Sequence, residues 1–127
     1  MEIKELLTEI TQTEDVRARL SNLRSQIKED KKAVENYVDA AFIGRLEDLL
    51  SHVDAKTRKN ATLLLGDLSD RVQALDLAGQ VTQALWAAYE REDTKFVLAS
   101  YIKGLSAYDC GEILESLRAE RKRLGAE

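Results

Sequence analysis

The chain has 127 residues, of which 33% are charged and none is proline, and its net charge is −4. Its one cysteine, Cys110, cannot close an internal disulfide, and no apolar run is long enough for a signal peptide or a membrane span. These features predict a single all-α domain, 1–127, in the reducing cytoplasm. The acidic balance argues against broad, nonspecific nucleic-acid binding and leaves room for a local basic patch.

Three helices are predicted before residue 50. The first, over about residues 2–10, has apolar residues at helical spacing: Ile3, Leu6, Leu7 and Ile10. Thr11 and Glu14 have the spacing of a capping box for the second, whose apolar face is Val16, Leu20, Leu23 and Ile27. The charged run 28–32 is either a solvated helix or a loop, and a loop is favoured. A third helix is predicted from Lys32 to Leu49, with a possible bend at Gly44.

The stretch from Gly44 to Leu68 predicts two antiparallel helices separated by a polar turn at Asp54. The first presents Leu46, Leu49, Leu50 and Val53 on one face, and the second presents Thr57, Ala61, Leu64, Leu65 and Leu68. This hairpin resembles a HEAT repeat of the PBS-lyase type, whose second helix begins Asp-x-x-Val-Arg-x-x-Ala-x-x-x-Leu-Gly. The matching positions are Asp54, Thr57, Arg58, Ala61, Leu65 and Gly66, and Thr57 is the one departure from the pattern.

Beyond Leu68 the pattern predicts three more helices. Ser69 and Asp70 are candidate caps for a helix that reaches Tyr89 with an interruption near Gly79. After a turn at 92–94 a second inner-type helix contains Phe96, Val97, Ser100, Tyr101 and Leu105. A last helix is predicted over about 110–124.

A period of 39 residues links these elements. Asp54 and Asp93 are 39 apart, and subtracting 39 again from Asp54 gives Asp15, with Arg19 at the position of Arg58. The series predicts units at about 2–30, 33–69 and 70–109. One hairpin cannot bury its own apolar face whereas stacked hairpins can. The resemblance therefore implies a right-handed α-α superhelix of about three HEAT-like hairpins.

Catalytic and metal-binding chemistry is not predicted. His52 is the only histidine, and a lone imidazole supplies only one of the several ligands that a metal needs. Cys110 has no histidine near it in sequence, and the chain contains no glycine-rich phosphate loop. We therefore expect a protein that is not an enzyme and that has no cofactor.

Two sets of polar residues are assigned different roles. The turn and ladder set is structural, because aspartates at helix starts accept backbone N–H bonds and HEAT-like stacks align Asp and Arg from neighbouring units. It comprises Asp15, Asp54, Asp93, Arg19 and Arg58. The binding set is expected on the concave surface of the second helices, as a basic stripe if those helices lie side by side. It comprises Lys56, Lys59, Asn60, Arg17, Arg24 and Lys95.

Three functions follow as expectations. The favoured one is a scaffold that docks a protein partner or an adjoining domain through its concave surface. The second is an accessory, RNA-binding domain at the amino end of a larger RNA methyltransferase, because the segment 54–68 is similar to HEAT-like segments of bacterial proteins with a methyltransferase domain. The third is a module that forms a homodimer. No contact with a membrane is expected.

Overall fold

A computed structural model describes residues 3–12, 16–108 and 119, and within them the fold comprises eight helices and no strand. The predicted all-α class is thus confirmed. The helices are α1 (Ile3–Gln12), α2 (Arg17–Glu29), α3 (Lys31–Glu35), α4 (Ala40–Leu49), α5 (Ala55–Asp67), α6 (Ser69–Ala74), α7 (Ala78–Arg91) and α8 (Lys95–Leu105). Apart from residue 119, the predicted last helix lies outside the described residues, as does Cys110.

The longer helices pair into hairpins and pack in two layers. Contacts join α1 to α2, α4 to α5 and α7 to α8. In one layer α5 lies between α2 and α8, and in the other α4 lies between α1 and α7. Apolar residues from both layers form one buried core, to which the fully buried Leu20, Leu46, Leu64, Leu85 and Tyr101 belong. The short helices α3 and α6 connect successive hairpins.

Glycines allow α5 and α8 to approach closely. A Cβ atom built on Gly66 would lie 3.0 Å from the Cα of Gly104, and one built on Gly104 would lie 3.0 Å from the carbonyl oxygen of Thr62. Any larger residue at either position would press on backbone atoms, which cannot rotate away. The two glycines therefore fix the distance between the central and the last helix of this layer.

The helix predicted from Lys32 to Leu49 is two helices. Asp30 caps α3 by accepting a hydrogen bond from the Ala33 N–H at 3.2 Å, and Asp39 caps α4 by accepting one from the Phe42 N–H at 2.9 Å. The chain passes Gly44 inside α4 without a break. Because α4 ends at Leu49, Val53 lies in the following turn and is 93% exposed, so its expected place on the inner face is wrong.

The interruption expected near Gly79 lies a few residues earlier. The chain leaves α6 after Ala74, and Asp76 takes the left-handed conformation with φ of 60° before α7 begins at Ala78. Aspartate tolerates this conformation better than most residues because its short side chain bonds locally. At the start of α6 the N-cap residue is Leu68, and no side chain caps the helix.

Candidate binding surface

Asp54 holds the start of α5. One oxygen of its carboxylate accepts hydrogen bonds from the backbone N–H of Thr57 at 3.0 Å and from the Thr57 hydroxyl at 2.8 Å. The bond from the hydroxyl is the main reason that the pKa of Asp54 lies below its usual value of 3.8. The Nδ1 atom of His52 accepts the N–H of Asp54 at 3.0 Å, so the histidine is part of the same turn. Both side chains are used by the local fold.

Arg58 joins α5 to the turn between α7 and α8. Its Nε and Nη2 atoms donate to the two carboxylate oxygens of Glu92 at 2.9 and 3.0 Å. The Nη1 atom donates to the carbonyl oxygens of His52 and Val53 at 2.9 and 3.2 Å. The Glu92 side chain is only 3% exposed and that of Arg58 16%. The hydrogen bond to Glu92 raises the pKa of Arg58. The Nη2 atom also donates to the Thr94 hydroxyl at 3.4 Å, so all five donors of the guanidinium are used within the fold.

Two buried tyrosines complete the packing of the last hairpin. The Tyr101 hydroxyl lies 3.5 Å from a Glu92 oxygen, and burial raises the pKa of Tyr101 to about 12. The Tyr108 hydroxyl donates to the carbonyl oxygen of Leu65, and burial raises the pKa of Tyr108 as well. Both phenols are therefore neutral at physiological pH and act as hydrogen-bonding core residues.

Arginines connect helices throughout the part of the chain that the structure describes. Each contacts a group on another element: Arg17 with Asp54, Arg19 with Glu9, Arg24 with Asp67, Arg45 with the Ile10 carbonyl, Arg58 with Glu92, Arg71 with the Val38 carbonyl, and Arg91 with Ser51. The pair of Arg24 and Asp67 spans 3.5 Å between α2 and α5. Arg24, which the sequence assigns to the binding set, is thus engaged in holding these helices together.

Other members of the predicted binding set lie along one outer face. Arg17, Lys56 and Asn60 line an open groove of about 430 Å³ between α2 and α5, together with Ala18 and Ser21. We call this the α2/α5 groove. It is the surface that the sequence analysis expected if α2 and α5 were adjacent.

The same face continues across α8. The Nζ atom of Lys59 on α5 lies 5.9 Å from the centroid of the Phe96 ring on α8. Lys95, which directly precedes Phe96 in the sequence, is exposed. Phe96, which the sequence pattern groups with the apolar residues of an inner-type helix, is 46% exposed. An exposed aromatic ring therefore lies among the lysines.

The lysines of this face differ from the arginines. Within the described ranges no carboxylate oxygen lies within 4 Å of Lys56, Lys59 or Lys95. The nearby carboxylates of Asp54 and Asp67 each have an arginine within that distance, at 3.7 and 3.5 Å. Among the described residues these three lysines therefore have no ion-pair partner, on a chain that is acidic as a whole. We call Lys56, Lys59, Lys95 and Phe96 the basic face; Arg17, at its edge, pairs with Asp54 at 3.7 Å.

The remaining turn and ladder residues are placed differently from one another. Arg19 pairs with Glu9 on α1 at 2.8 Å. Asp93 accepts a hydrogen bond from the Thr94 hydroxyl at 3.3 Å, and the N-cap position of α8 belongs to Thr94. The carboxylate that pairs with Arg58 belongs to Glu92, to which the sequence assigns no role beyond the turn at 92–94. Asp15 lies outside the described residues.

Neither a metal centre nor a membrane span is found in the described part of the chain. No three His, Cys, Asp or Glu side chains there lie close enough together to hold an ion. None of the helices there combines the length and the apolar character needed to cross a bilayer. Comparison of the chain with models of known families, with curated proteins and with solved structures finds no match.

Proposed function

We propose that the chain is a noncatalytic helical-repeat module that docks a macromolecular partner through the outer face of α2, α5 and α8. In this proposal the helices form a right-handed stack of about three HEAT-like hairpins in a cytoplasmic protein. The order of contacts within each layer supports the stack, as does the cap that Asp54 provides for α5. The observation on which the function rests is the basic face, where lysines that have no carboxylate partner in the described part of the chain lie on adjacent helices.

The charge of the basic face discriminates among the three kinds of partner that the sequence predicts. A homodimer through this face would set equal charges against one another across a two-fold axis, which opposes association. A protein or adjoining domain would need an acidic surface to match it. The accessory RNA-binding role is favoured by a specific observation, since lysines without carboxylate partners suit a phosphate backbone.

Photo-crosslinking tests the docking face. A diazirine side chain at Asn60 in the α2/α5 groove is compared with one at Gln83, an exposed residue of α7 in the other layer. In cells of the source organism we expect a recurrent adduct from position 60, and we expect it to disappear when Lys56 and Lys59 are replaced by glutamate. Equal labelling from both positions, or adducts that survive the charge reversal, would contradict the docking face.

A further inference from the structure

We propose that the basic face binds single-stranded RNA, with Lys56, Lys59 and Lys95 contacting phosphates and Phe96 stacking against a base. This inference rests on the proposed docking function and names the chemistry of the partner.

The composition of the face favours a polyanion over a folded protein partner. The centres of protein interfaces are rich in apolar and aromatic side chains and poor in lysine. Here the α2/α5 groove is lined by Arg17, Ala18, Ser21, Lys56 and Asn60, with no large apolar side chain among them. Nucleic-acid interfaces, in contrast, are polar, positively charged and wet. A phosphate backbone therefore matches this groove better than the apolar patch of a protein would.

Phe96 adds a feature that a purely electrostatic surface lacks. A ring that is 46% exposed among cations is a platform on which an unstacked base can lie, and stacking of this kind accepts any base. Lys59 lies 5.9 Å from the ring centroid, where attraction to the ring holds the ammonium group beside the stacking site. A phosphate next to the stacked base can then meet that ammonium group. Because bases in a duplex are stacked on one another, the ring selects single strands.

The groove also offers a way to distinguish RNA from DNA. The side chain of Asn60 makes no hydrogen bond to any residue in the described ranges, and Ser21 lines the same groove. An amide and a hydroxyl can both donate and accept, and the ribose 2′-hydroxyl does so too. These two groups therefore favour a ribose backbone over a deoxyribose one.

The test measures binding of a fluorescein-labelled oligouridylate of about twelve nucleotides, a length within the range of single-strand binding sites. Anisotropy titrations across a salt series give the slope of log K against log salt concentration, to which each phosphate contact on a single strand contributes about −0.7. For Lys56→Ala/Lys59→Ala we expect the slope to become shallower by about 1.4, since two contacts are lost. For Phe96→Ala we expect binding to weaken about fivefold or more with little change of slope.

The matched control is Lys4→Ala/Lys32→Ala, which removes the same charge from exposed lysines on α1 and α3. It should bind as the unchanged protein does, because the basic face is intact. Circular dichroism melting should show all three variants folded. An oligothymidylate of equal length should bind more weakly, and Asn60→Ala should remove that preference.

The outcomes separate this inference from the docking function. Absence of oligouridylate binding at low salt overturns the RNA assignment. So does an equal loss of affinity in the two double-lysine variants, or binding to oligothymidylate that is as tight as binding to oligouridylate. If a protein adduct nevertheless forms at position 60 and depends on Lys56 and Lys59, the docking function stands and its partner is an acidic protein. If position 60 gives no adduct that depends on the face, the docking function falls as well.

Discussion

Replacing Arg58 by alanine should be among the most damaging single changes at the polar surface of this protein. The change leaves the Glu92 carboxylate, whose side chain is 3% exposed, without the two hydrogen bonds at 2.9 and 3.0 Å that neutralise it. Breaking a buried pair from one side costs about 3–5 kcal/mol. Since Arg58 itself is 16% exposed, water can reach part of the space it leaves, and we expect the lower end, about 3 kcal/mol.

Changing the other partner of this pair should cost less stability. In Glu92→Gln the amide oxygen still accepts from Arg58, and the guanidinium keeps the carbonyl oxygens of His52 and Val53, so we expect a loss of about 1–2 kcal/mol. The double variant Arg58→Ala/Glu92→Gln should be more stable than Arg58→Ala alone. It contains no buried charge without a partner, and the two changes therefore do not add.

Urea unfolding followed by circular dichroism measures these differences, with linear extrapolation to water. The control is Arg19→Ala, because Arg19 and Glu9 also form an ion pair between elements, but their side chains are 35% and 37% exposed. For that more exposed pair we expect a loss below about 1 kcal/mol. The reasoning is refuted if Arg58→Ala costs no more than Arg19→Ala, or if adding Glu92→Gln to Arg58→Ala lowers stability further.

Three further tests concern the packing, the cap and the buried phenol. Gly66→Ala should destabilise by about 1–3 kcal/mol, because its Cβ would lie 3.0 Å from the Cα of Gly104, whereas Gly44→Ala, with open space around it, should stabilise by about 0.5–1 kcal/mol in the same urea assay. Asp54→Ala should cost about 1 kcal/mol at pH 7. The folded-state pKa of Asp54 lies below 3.8, so the stability that its carboxylate contributes is present above that pH and is lost as the pH falls through the folded-state pKa. In Asp54→Asn the free energy of unfolding should therefore depend less on pH in this range. The raised pKa of Tyr101 makes stability fall as pH rises from 10 towards about 12, and Tyr101→Phe should reduce that fall in alkaline melts.

Local sequence signals were sufficient for the central hairpin and insufficient for the breaks on either side of it. Asp54 precedes a run of regularly spaced apolar residues, and the structure places a cap and a helix there. Apolar spacing also continues through Val34, Val38 and Phe42, although the chain breaks between α3 and α4. All three residues are buried in the same core, although Val38 lies between the helices, so periodicity alone cannot reveal the break. Asp39, a good N-cap inside the run, was the available signal.

The position of a surface residue on its helix was predictable from the sequence. The ion pairs between residues distant in sequence were not. Lys56 and Asn60 follow from the spacing of α5, and both line the α2/α5 groove. The engagement of Arg24 by Asp67 joins residues 43 apart, and that of Arg58 by Glu92 joins residues 34 apart. A period of 39 pointed instead to Asp93, one residue beyond the carboxylate that is used. Such pairs depend on how the hairpins pack, which the pattern of a single hairpin does not contain.

The chemistry of the two basic residue types gives a reason for this division between structure and surface. A guanidinium presents several donors in a fixed plane, so it can bond a carboxylate through two atoms and a carbonyl through a third, as Arg58 does. A lysine ammonium is a strongly hydrated point charge on a flexible stem, so fixing it in a packed contact costs more hydration and side-chain entropy per hydrogen bond formed. It keeps its charge mobile at the surface, where a backbone of irregular shape can meet it. Arginines that join helices and lysines at the surface of α5 and α8 are the distribution expected if these lysines form the proposed binding face. Exchanging Lys59 for arginine should strengthen contact with Phe96 more than it strengthens attraction for phosphate.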